Sequence, residues 1–587
     1  MKNELECNFL KFSGVLTLAN LQNFQEHQYL LNVSVSDGVY TSFSRVRIEI
    51  LPANLHNPTF AQPQIEAVVR ENQPSGTYVT QTSATDDDFG TYSEISYSIS
   101  SELMREYFEI NKTTGVIRTK RHLDREIKKL YEIPVTASDQ GGRLGFLNVR
   151  VKVRDENDNV PVFQVSEYKA AIPGNFTVEL GFLKVKATDL DEDINAEIEY
   201  SISPPYTDKT DELFGINSQT GGIYLLKSAK PFQNQLFQFF VKAEDNGKPS
   251  KHSHVPVEIY IMGPNDVAPL FERKDDKFFL SEKSAPETVI TRLKLVSNVT
   301  VKFRIVSGSI DNPQFYVDST GQLSLARPLD REESNFHNIG VLAESKANPS
   351  LAALTEVLLK VLDENDNAPR FESTPYECTI AENIEEGSSI LRVIAHDNDS
   401  GNNKEVRYSL TQDNGDLANI FAIDSYTGWI RTLVPLDKEK NPEYNFQIMA
   451  TDNGIQKHFA RTSVHVKLKD YNDNPPVFTS EHYTGSVSED ALPGTVVIQL
   501  NTLDLDSDLD SRVDLYITSG DIMAQFQIRQ TGEIYVAKPL DRELISHYNL
   551  EITATDGKFV TSTKVSIEVI DANGKRKKKK FISFLFF

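Results

Sequence analysis

Arg154-Asp155-Glu156-Asn157-Asp158-Asn159-Val160-Pro161-Val162-Phe163 decides how this 587-residue chain is read, because the phrase keeps returning. It recurs as Asp363-Glu-Asn-Asp-Asn-Ala-Pro-Arg-Phe371 and as Asp470-Tyr-Asn-Asp-Asn-Pro-Pro-Val-Phe478. Weaker copies are Gly263-Pro-Asn-Asp-Val-Ala-Pro-Leu-Phe271 and Pro52-Ala-Asn-Leu-His-Asn-Pro-Thr-Phe60. The closing phenylalanines, Phe60, Phe163, Phe271, Phe371 and Phe478, are 103, 108, 100 and 107 residues apart. A glycine two residues before an Ile or Leu keeps the same beat, at Gly14, Gly115, Gly221, Gly321, Gly428 and Gly532. Two unrelated motifs on one period define tandem modules. They divide the chain into a partial repeat over 1–57, full repeats over 58–159, 160–266, 267–367, 368–474 and 475–573, and a tail over 574–587. We number the repeats one to six.

Within a period the apolar residues alternate in short runs, such as Glu94-Ile-Ser-Tyr-Ser-Ile99 and Asn148-Val-Arg-Val-Lys-Val153, separated by turn signals. No long helical periodicity appears. About seven short strands in about 100 residues predict an all-β, antiparallel sandwich, and the linker proline can sit only at a strand start or edge. Composition sets further limits. Hydrophobic residues are 39% and aromatics 10%, enough to fill several cores, so wholesale disorder is excluded. With 84 acidic against 61 basic side chains the net charge is −23, which disfavours nucleic acid and favours a cationic partner, most simply a metal ion. Only Cys7 and Cys378 occur, so there is no disulfide framework and no cysteine-built metal site. The sequons Asn32-Val-Ser, Asn111-Lys-Thr, Asn175-Phe-Thr, Asn298-Val-Thr and Asn398-Asp-Ser suit a secreted glycoprotein.

Each full repeat carries further acidic signatures in fixed order. In the second repeat they are Glu71, Asp86 with Asp88, Leu123-Asp124-Arg125-Glu126, and Asp139; in the fifth, Glu382, Asp397 with Asp399, Leu436-Asp437-Lys438-Glu439, and Asp452. A lone Asp-x-Asp is usually a solvated loop, but these recur in register with the linker. The combination resembles the cadherin superfamily over essentially the whole chain to Asn573, and most of all the Fat-type atypical cadherins, which mix intact with degraded junctions. The resemblance implies tandem Greek-key, seven-stranded β-sandwich repeats in an elongated array, with calcium ligands converging between consecutive repeats.

Calcium is a hard cation that takes six to eight oxygens, which Asp, Glu and Asn clusters supply. For the junction at Asp155 the resemblance assigns Glu71, Asp124 and Glu126 from one repeat, Asp155, Asn157 and Asp158 from the linker, and Asp189, Asp191 and Asp245 from the next repeat. Backbone oxygens of Glu156 and Asn159, and one near Asn195, complete the set. The junction at Asp363 has Glu282, Asp330, Glu332, Asp363, Asp366, Asp397, Asp399 and Asp452, with Glu364, Asn365, Asn367 and Asn403 beside them. The junction at Asp470 has Glu382, Asp437, Glu439, Asp470, Asp473, Asp504, Asp506 and Asp556, with Tyr471, Asn472 and Asn474. Each is a set of eight carboxylates. Two like charges 4 Å apart repel by about 1 kcal/mol in water and about 4 at an effective dielectric of 20, so such a junction without metal should splay.

Two junctions are poorer. Near Pro52 only Asn54, Asp86, Asp88 and Asp139 remain, with Leu55 in place of the linker Asp and no acid in 21–25; one calcium is expected there, with Tyr92 standing where Asn is usual. Between repeats three and four the Leu-Asp-Arg-Glu motif has become Phe232-Gln-Asn-Gln235, the linker Asp has become Gly263, and Ser345 stands where an Asp belongs. Only Asp266 is left of the expected acids, which predicts no ordered calcium and a bend or hinge.

The function implied by the resemblance is calcium-dependent adhesion by a plasma-membrane ectodomain, its partner another cadherin ectodomain, homophilic or heterophilic. Two other readings are a non-adhesive mechanical spacer and a protocadherin- or dachsous-type receptor in cell polarity. An enzyme is not expected, because the acids repeat at junctions instead of converging on one cleft. Trp429, the sole tryptophan, is expected to pack in a core or groove, and Cys378 to be a small strand residue. No run of about 18 apolar residues spans a membrane, and the first residues do not order themselves as a signal peptide. The chain therefore reads as an internal piece of a longer protein. Its tail, Gly574-Lys-Arg-Lys-Lys-Lys-Lys-Phe-Ile-Ser-Phe-Leu-Phe-Phe587, reads as intron-derived, unstructured sequence, with a membrane-surface anchor as the other possibility.

Overall fold

A computed structural model describes residues 7–9, 16–18, 28–36, 39–49, 53–205, 209–272, 277–308, 313–506 and 512–572. The tail and the 21–25 stretch fall outside these residues. Each repeat from the second to the sixth is a sandwich of a four-stranded and a three-stranded sheet. In the second repeat Gln64–Arg70, Leu144–Arg154, Leu130–Ser138 and Ser96–Ile99 form the larger sheet in that order, and Phe108–Ile110, Val116–Thr119 and Tyr78–Gln81 the smaller. The first strand pairs parallel with the last, from Gln64↔Asn148 to Arg70↔Arg154, while its neighbours pair antiparallel. The same order returns in every later repeat. Among the described residues no helix is long and apolar enough to cross a membrane.

Period-2 alternation builds each core. Tyr131, Ile133, Val135 and Ala137 point inward from one strand and Leu147, Val149, Val151 and Val153 from its partner, all essentially buried. The periodic glycines have a steric cause. Gly115, Gly221, Gly321, Gly428 and Gly532 all adopt positive φ, and a Cβ on Gly428 would meet the Val393 carbonyl oxygen at 2.1 Å. Packing this close lets Val393 N–H reach the Gly428 carbonyl at 3.0 Å and fastens the smaller sheet.

The array is not straight throughout. Repeats three and four lie side by side. Ser166 N–H donates to the Val306 carbonyl at 2.8 Å, and Gln164 accepts from Asn338 at 2.7 Å. The core of repeat three continues into Val306, Leu342 and Ala352 of repeat four. The expected bend at Gly263 is therefore a fold-back, and the elongated arrangement is interrupted there. Repeats two and five also touch: Leu103 N–H donates to the Glu372 carbonyl at 3.1 Å and Ala381 N–H to that of Gly142, also at 3.1 Å. Trp429 packs edge-on against Phe146 with ring centroids 4.9 Å apart, so its groove is made by another repeat instead of its own core. Cys378 is a half-buried strand residue facing the same seam, and burial pushes its thiol up to about 12.

A buried tyrosine hydroxyl ties the larger sheet to a short two-stranded ladder at the edge of the sandwich. Tyr97, Tyr200 and Tyr408 accept from the N–H groups of Ala84, Ala187 and Ala395 at 2.8–2.9 Å. Repeats four and six hold Phe303 and Leu515 at this position and keep the fold, so the bond adds stability without specifying the topology. Tyr408→Phe should leave the Ala395 N–H unsatisfied and lower the stability of repeat five by about 1–3 kcal/mol, measured as a shift of its denaturant midpoint at constant slope.

Candidate metal centres

One glutamate organises each complete junction. Glu71, with no exposed surface, accepts from Arg125 N–H at 2.8 Å and from Glu156 N–H at 2.7 Å, joining the 124–126 loop to the linker. Glu282 does the same for Arg331 and Glu364, and Glu382 for Lys438 and Tyr471, at 2.6–2.8 Å. This fixes the backbone that carries the remaining acids. In each Asp-x-Asp motif the first carboxylate turns back to accept from the second residue's N–H: Asp86 from Asp88, Asp189 from Asp191, Asp397 from Asp399 and Asp504 from Asp506, at 2.9–3.1 Å. The second carboxylate then faces the linker. Asn159 donates to Asp191 at 2.7 Å, Asn367 to Asp399 at 2.8 Å and Asn474 to Asp506 at 2.9 Å.

Most of the residues picked from the sequence come together. At the first complete junction the carboxylate oxygens of Glu71, Glu126 and Asp155 lie within 4.8 Å of one another, as do those of Glu126, Asp158 and Asp191. At the second, Glu282, Glu332 and Asp366 form one such group, and Glu332, Asp363 and Asp399 another. Asn157 reaches Asp245 at 2.9 Å and Asn365 reaches Asp452 at 3.0 Å, bringing the last acid of the following repeat into place. Asn195 meets Asp155 through its side-chain amide at 2.8 Å, near where the resemblance implied a backbone oxygen, and Asn403 meets Asp363 in the same way at 2.9 Å. Glu156 and Glu364 turn their carboxylates away, to Arg70 and Ser281, which leaves only their backbone facing the linker. Asp124, Asp330 and Asp437 each accept an N–H three residues on, and so shape the loop they begin. At the third junction Asp556 is anchored by Lys558 and Phe559 N–H groups at 2.7 and 2.6 Å.

The donor set suits a hard cation. Buried oxygens without a hydrogen-bond partner recur at equivalent positions: Oδ2 of Asp189, Asp397 and Asp504, and Oδ1 of Asn157, Asn365 and Asn472. Orphaned buried acceptors are rare unless something else engages them. Crowding also perturbs their acidity. Burial, reinforced by Glu71, pushes Glu126 up to about 7, and burial with Glu382 and Asp470 does the same to Glu439. Asp189, Asp397 and Asp504 are raised as well, by burial first and then by neighbouring carboxylates.

The sequence reading passed over two features. The basic residue of the Leu-Asp-Arg-Glu motif points into the cluster: Arg125 pairs with Asp155 and with Glu126 at 2.8 Å, Arg331 with Asp363 and Glu332, and Lys438 with Asp470 at 2.8 Å. Arg125 and Arg331 also cross the junction, each donating at 2.7 Å to a carbonyl, Leu190 and Asn398, inside the next repeat's Asp-x-Asp. The second feature is a glycine two residues after the last Asp, which admits the linker asparagine. A Cβ on Gly247 would sit 2.2 Å from Asn157 Nδ2, and one on Gly454 2.5 Å from that of Asn365.

The poorer junctions follow the same geometry as far as their residues permit. Asp86, Asp88 and Asp139 have carboxylate oxygens within 4.8 Å of one another, and the buried Asn54 amide faces Asp88 and Asp139 at 2.9–3.0 Å. With its nitrogen inward it donates to both; with its oxygen inward it completes a four-residue oxygen cage. At Gly263 the surviving Asp266 accepts from Gly263 N–H at 2.9 Å, and Asn234 occupies the space beside the glycine. Ser345 is buried and accepts from Ala347 N–H.

Comparison with known proteins identifies the family. A cadherin-domain profile matches residues 65–154, 168–262, 278–362, 376–469 and 483–570. The chain is 43% identical over 575 residues to the Fat-like cadherin-related tumor suppressor homolog of Drosophila melanogaster, covering 97% of this chain and 12% of that protein. It is 38% identical over 576 residues to human Protocadherin Fat 1, covering 96% and 12%. It thus spans about an eighth of the length of these relatives, which are cadherins and not enzymes. Among solved structures the Protocadherin GammaB4 extracellular domain aligns at 26% identity with a TM-score of 0.45, covering 97% of this chain and 94% of that one. Five tandem cadherin domains, together with Fat-like relatives along nearly the whole chain, make this protein a member of the cadherin family and a segment of a Fat-type cadherin ectodomain.

Proposed function

We propose that the chain is part of a plasma-membrane ectodomain in which calcium at the repeat junctions stiffens the array for adhesion to another cadherin ectodomain. The observation that carries this reading is the triplicated cluster at Asp155, Asp363 and Asp470, in which acids from two repeats and their linker face one another. Calcium would supply positive charge shared by both repeats. The residues themselves orient the ligands: Glu71, Glu282 and Glu382 hold the linker, while Asn157 and Asn365 draw in the distant Asp245 and Asp452. The basic side chains at the junctions, Arg125, Arg331 and Lys438 with Lys440 and Lys558, offset only part of the acidic charge. Extracellular sites of this class bind at roughly 10⁻⁴–10⁻³ M, matching calcium outside cells and not inside.

A site filled at ten times its Kd adds about 1.4 kcal/mol to the stability of the folded state. Thermal melts should therefore shift upward with millimolar calcium. Asp506→Asn should remove part of that shift, and Asp266→Asn, at the stripped junction, should leave the calcium-dependent increment unchanged. Equal loss in both variants would contradict the assignment. Adhesion itself is tested by coating beads with the full chain: calcium-dependent clumping that chelator reverses is expected, and beads that stay dispersed in calcium would show that these repeats act as a spacer.

A further inference from the structure

Two histidines of repeat three lie outside the calcium clusters, and the pleat of their sheet brings them together. The strands Gln235–Asp245 and His252–Met262 pair antiparallel in the larger sheet of that repeat. Phe237, Phe239, Val241 and Ala243 point into the core from one strand, and Val255, Val257, Ile259 and Ile261 from the other. Alternation therefore puts Lys242, Glu244, His252 and His254 on the outer face. His252 stands opposite Glu244 and His254 opposite Lys242, the relation in which cross-strand side chains meet. Both imidazoles are exposed.

The two rings are already placed as ligands of one ion would be. Their centres lie 5.3 Å apart and their planes are perpendicular. Two imidazoles sharing a tetrahedral zinc, with Zn–N bonds of about 2.0–2.1 Å, put their ring centres about 5 Å apart. Glu244 adds a carboxylate. Its Oε2 accepts from Lys242 Nζ at 2.6 Å and its Oε1 from Ser250 Oγ at 3.1 Å, both on flexible side chains that a metal ion can displace. The donor chemistry also separates this face from the junctions. Calcium takes oxygen ligands, whereas imidazole nitrogen suits zinc and its transition-metal neighbours.

We propose that His252, His254 and Glu244 form a binding site for a divalent transition ion of the zinc class, with a fourth position open to solvent. The hairpin that joins the two strands also reaches the linker: Asn157 donates to Asp245 at 2.9 Å and to the Pro249 carbonyl at 2.7 Å. An ion tying Glu244 to His252 closes the base of that hairpin and braces the turn that meets the linker at the Asp155 junction.

The test titrates zinc chloride into the full chain by isothermal calorimetry, with and without millimolar calcium. The tightest zinc should bind at one per chain, with the same affinity in both buffers. His252→Ala and His254→Ala should each weaken it by about tenfold or more. Glu244→Gln should weaken it too, while His547→Ala, at an exposed histidine of repeat six, should not. All four substitutions lie on strand faces outside the cores, so thermal melts without zinc should match the wild type. A wild type that takes up no zinc, or full affinity in any of the three ligand variants, would overturn the proposal. So would zinc that millimolar calcium displaces, because the ion would then sit in the carboxylate clusters. None of these results depends on whether calcium stiffens the junctions.

Discussion

Repulsion between carboxylates is the constraint on which the rest of the molecule turns. Each complete junction gathers eight acids drawn from two sandwiches and the linker between them. Side-chain amides, backbone N–H groups and Arg or Lys side chains hold these acids in place, and buried oxygens still remain unengaged at the same positions in successive repeats. A cluster so arranged is an expensive object unless a multivalent cation sits in it, since every close pair of carboxylates opposes the geometry. Under the proposed reading the same charges that push the repeats apart become the ligands that join them, and stiffness becomes a property of the medium.

Where the acids are lost, another interaction takes over. Repeat four has no Asp-x-Asp and carries Ser345 in place of an Asp, yet its larger sheet is buried on both faces around Gly340 and Leu342. Gly340, Leu342, Ala352 and Leu354 receive the first strand region of repeat three. Degradation of the metal motif and gain of an apolar outer face thus occur at one junction. The corner is a position at which protein–protein packing sets the direction of the chain.

The tandem repeats, the sandwich class and the acidic motifs were legible from spacing, because each is written in local patterns on a fixed period, whereas the ligand sets were implied only by the resemblance. The glycine beat had a physical cause that spacing could not reveal: the positive φ and close carbonyl of Gly428 and its equivalents. Arg125, Arg331 and Lys438 passed as filler within their motifs, although an invariably basic residue between two acids signals a charge partner. The lateral contact had a readable trace as well. Tyr131-Glu-Ile-Pro-Val-Thr-Ala137 alternates as a one-sided strand should, whereas His337-Asn-Ile-Gly-Val-Leu-Ala343 does not. Loss of alternation announces burial on both faces but says nothing of the occupant. Phe146 and Trp429 were invisible as a pair, because only the fold-back brings them together.

The account rests most directly on ion occupancy, and the decisive measurement counts calcium bound to the full chain by native mass spectrometry across a calcium titration. Three complete junctions and one partial one should load to about nine or ten ions, and chelator should strip them while the scattering profile changes. A chain that binds no calcium at millimolar concentration, or whose shape is the same with and without the ions, contradicts the account.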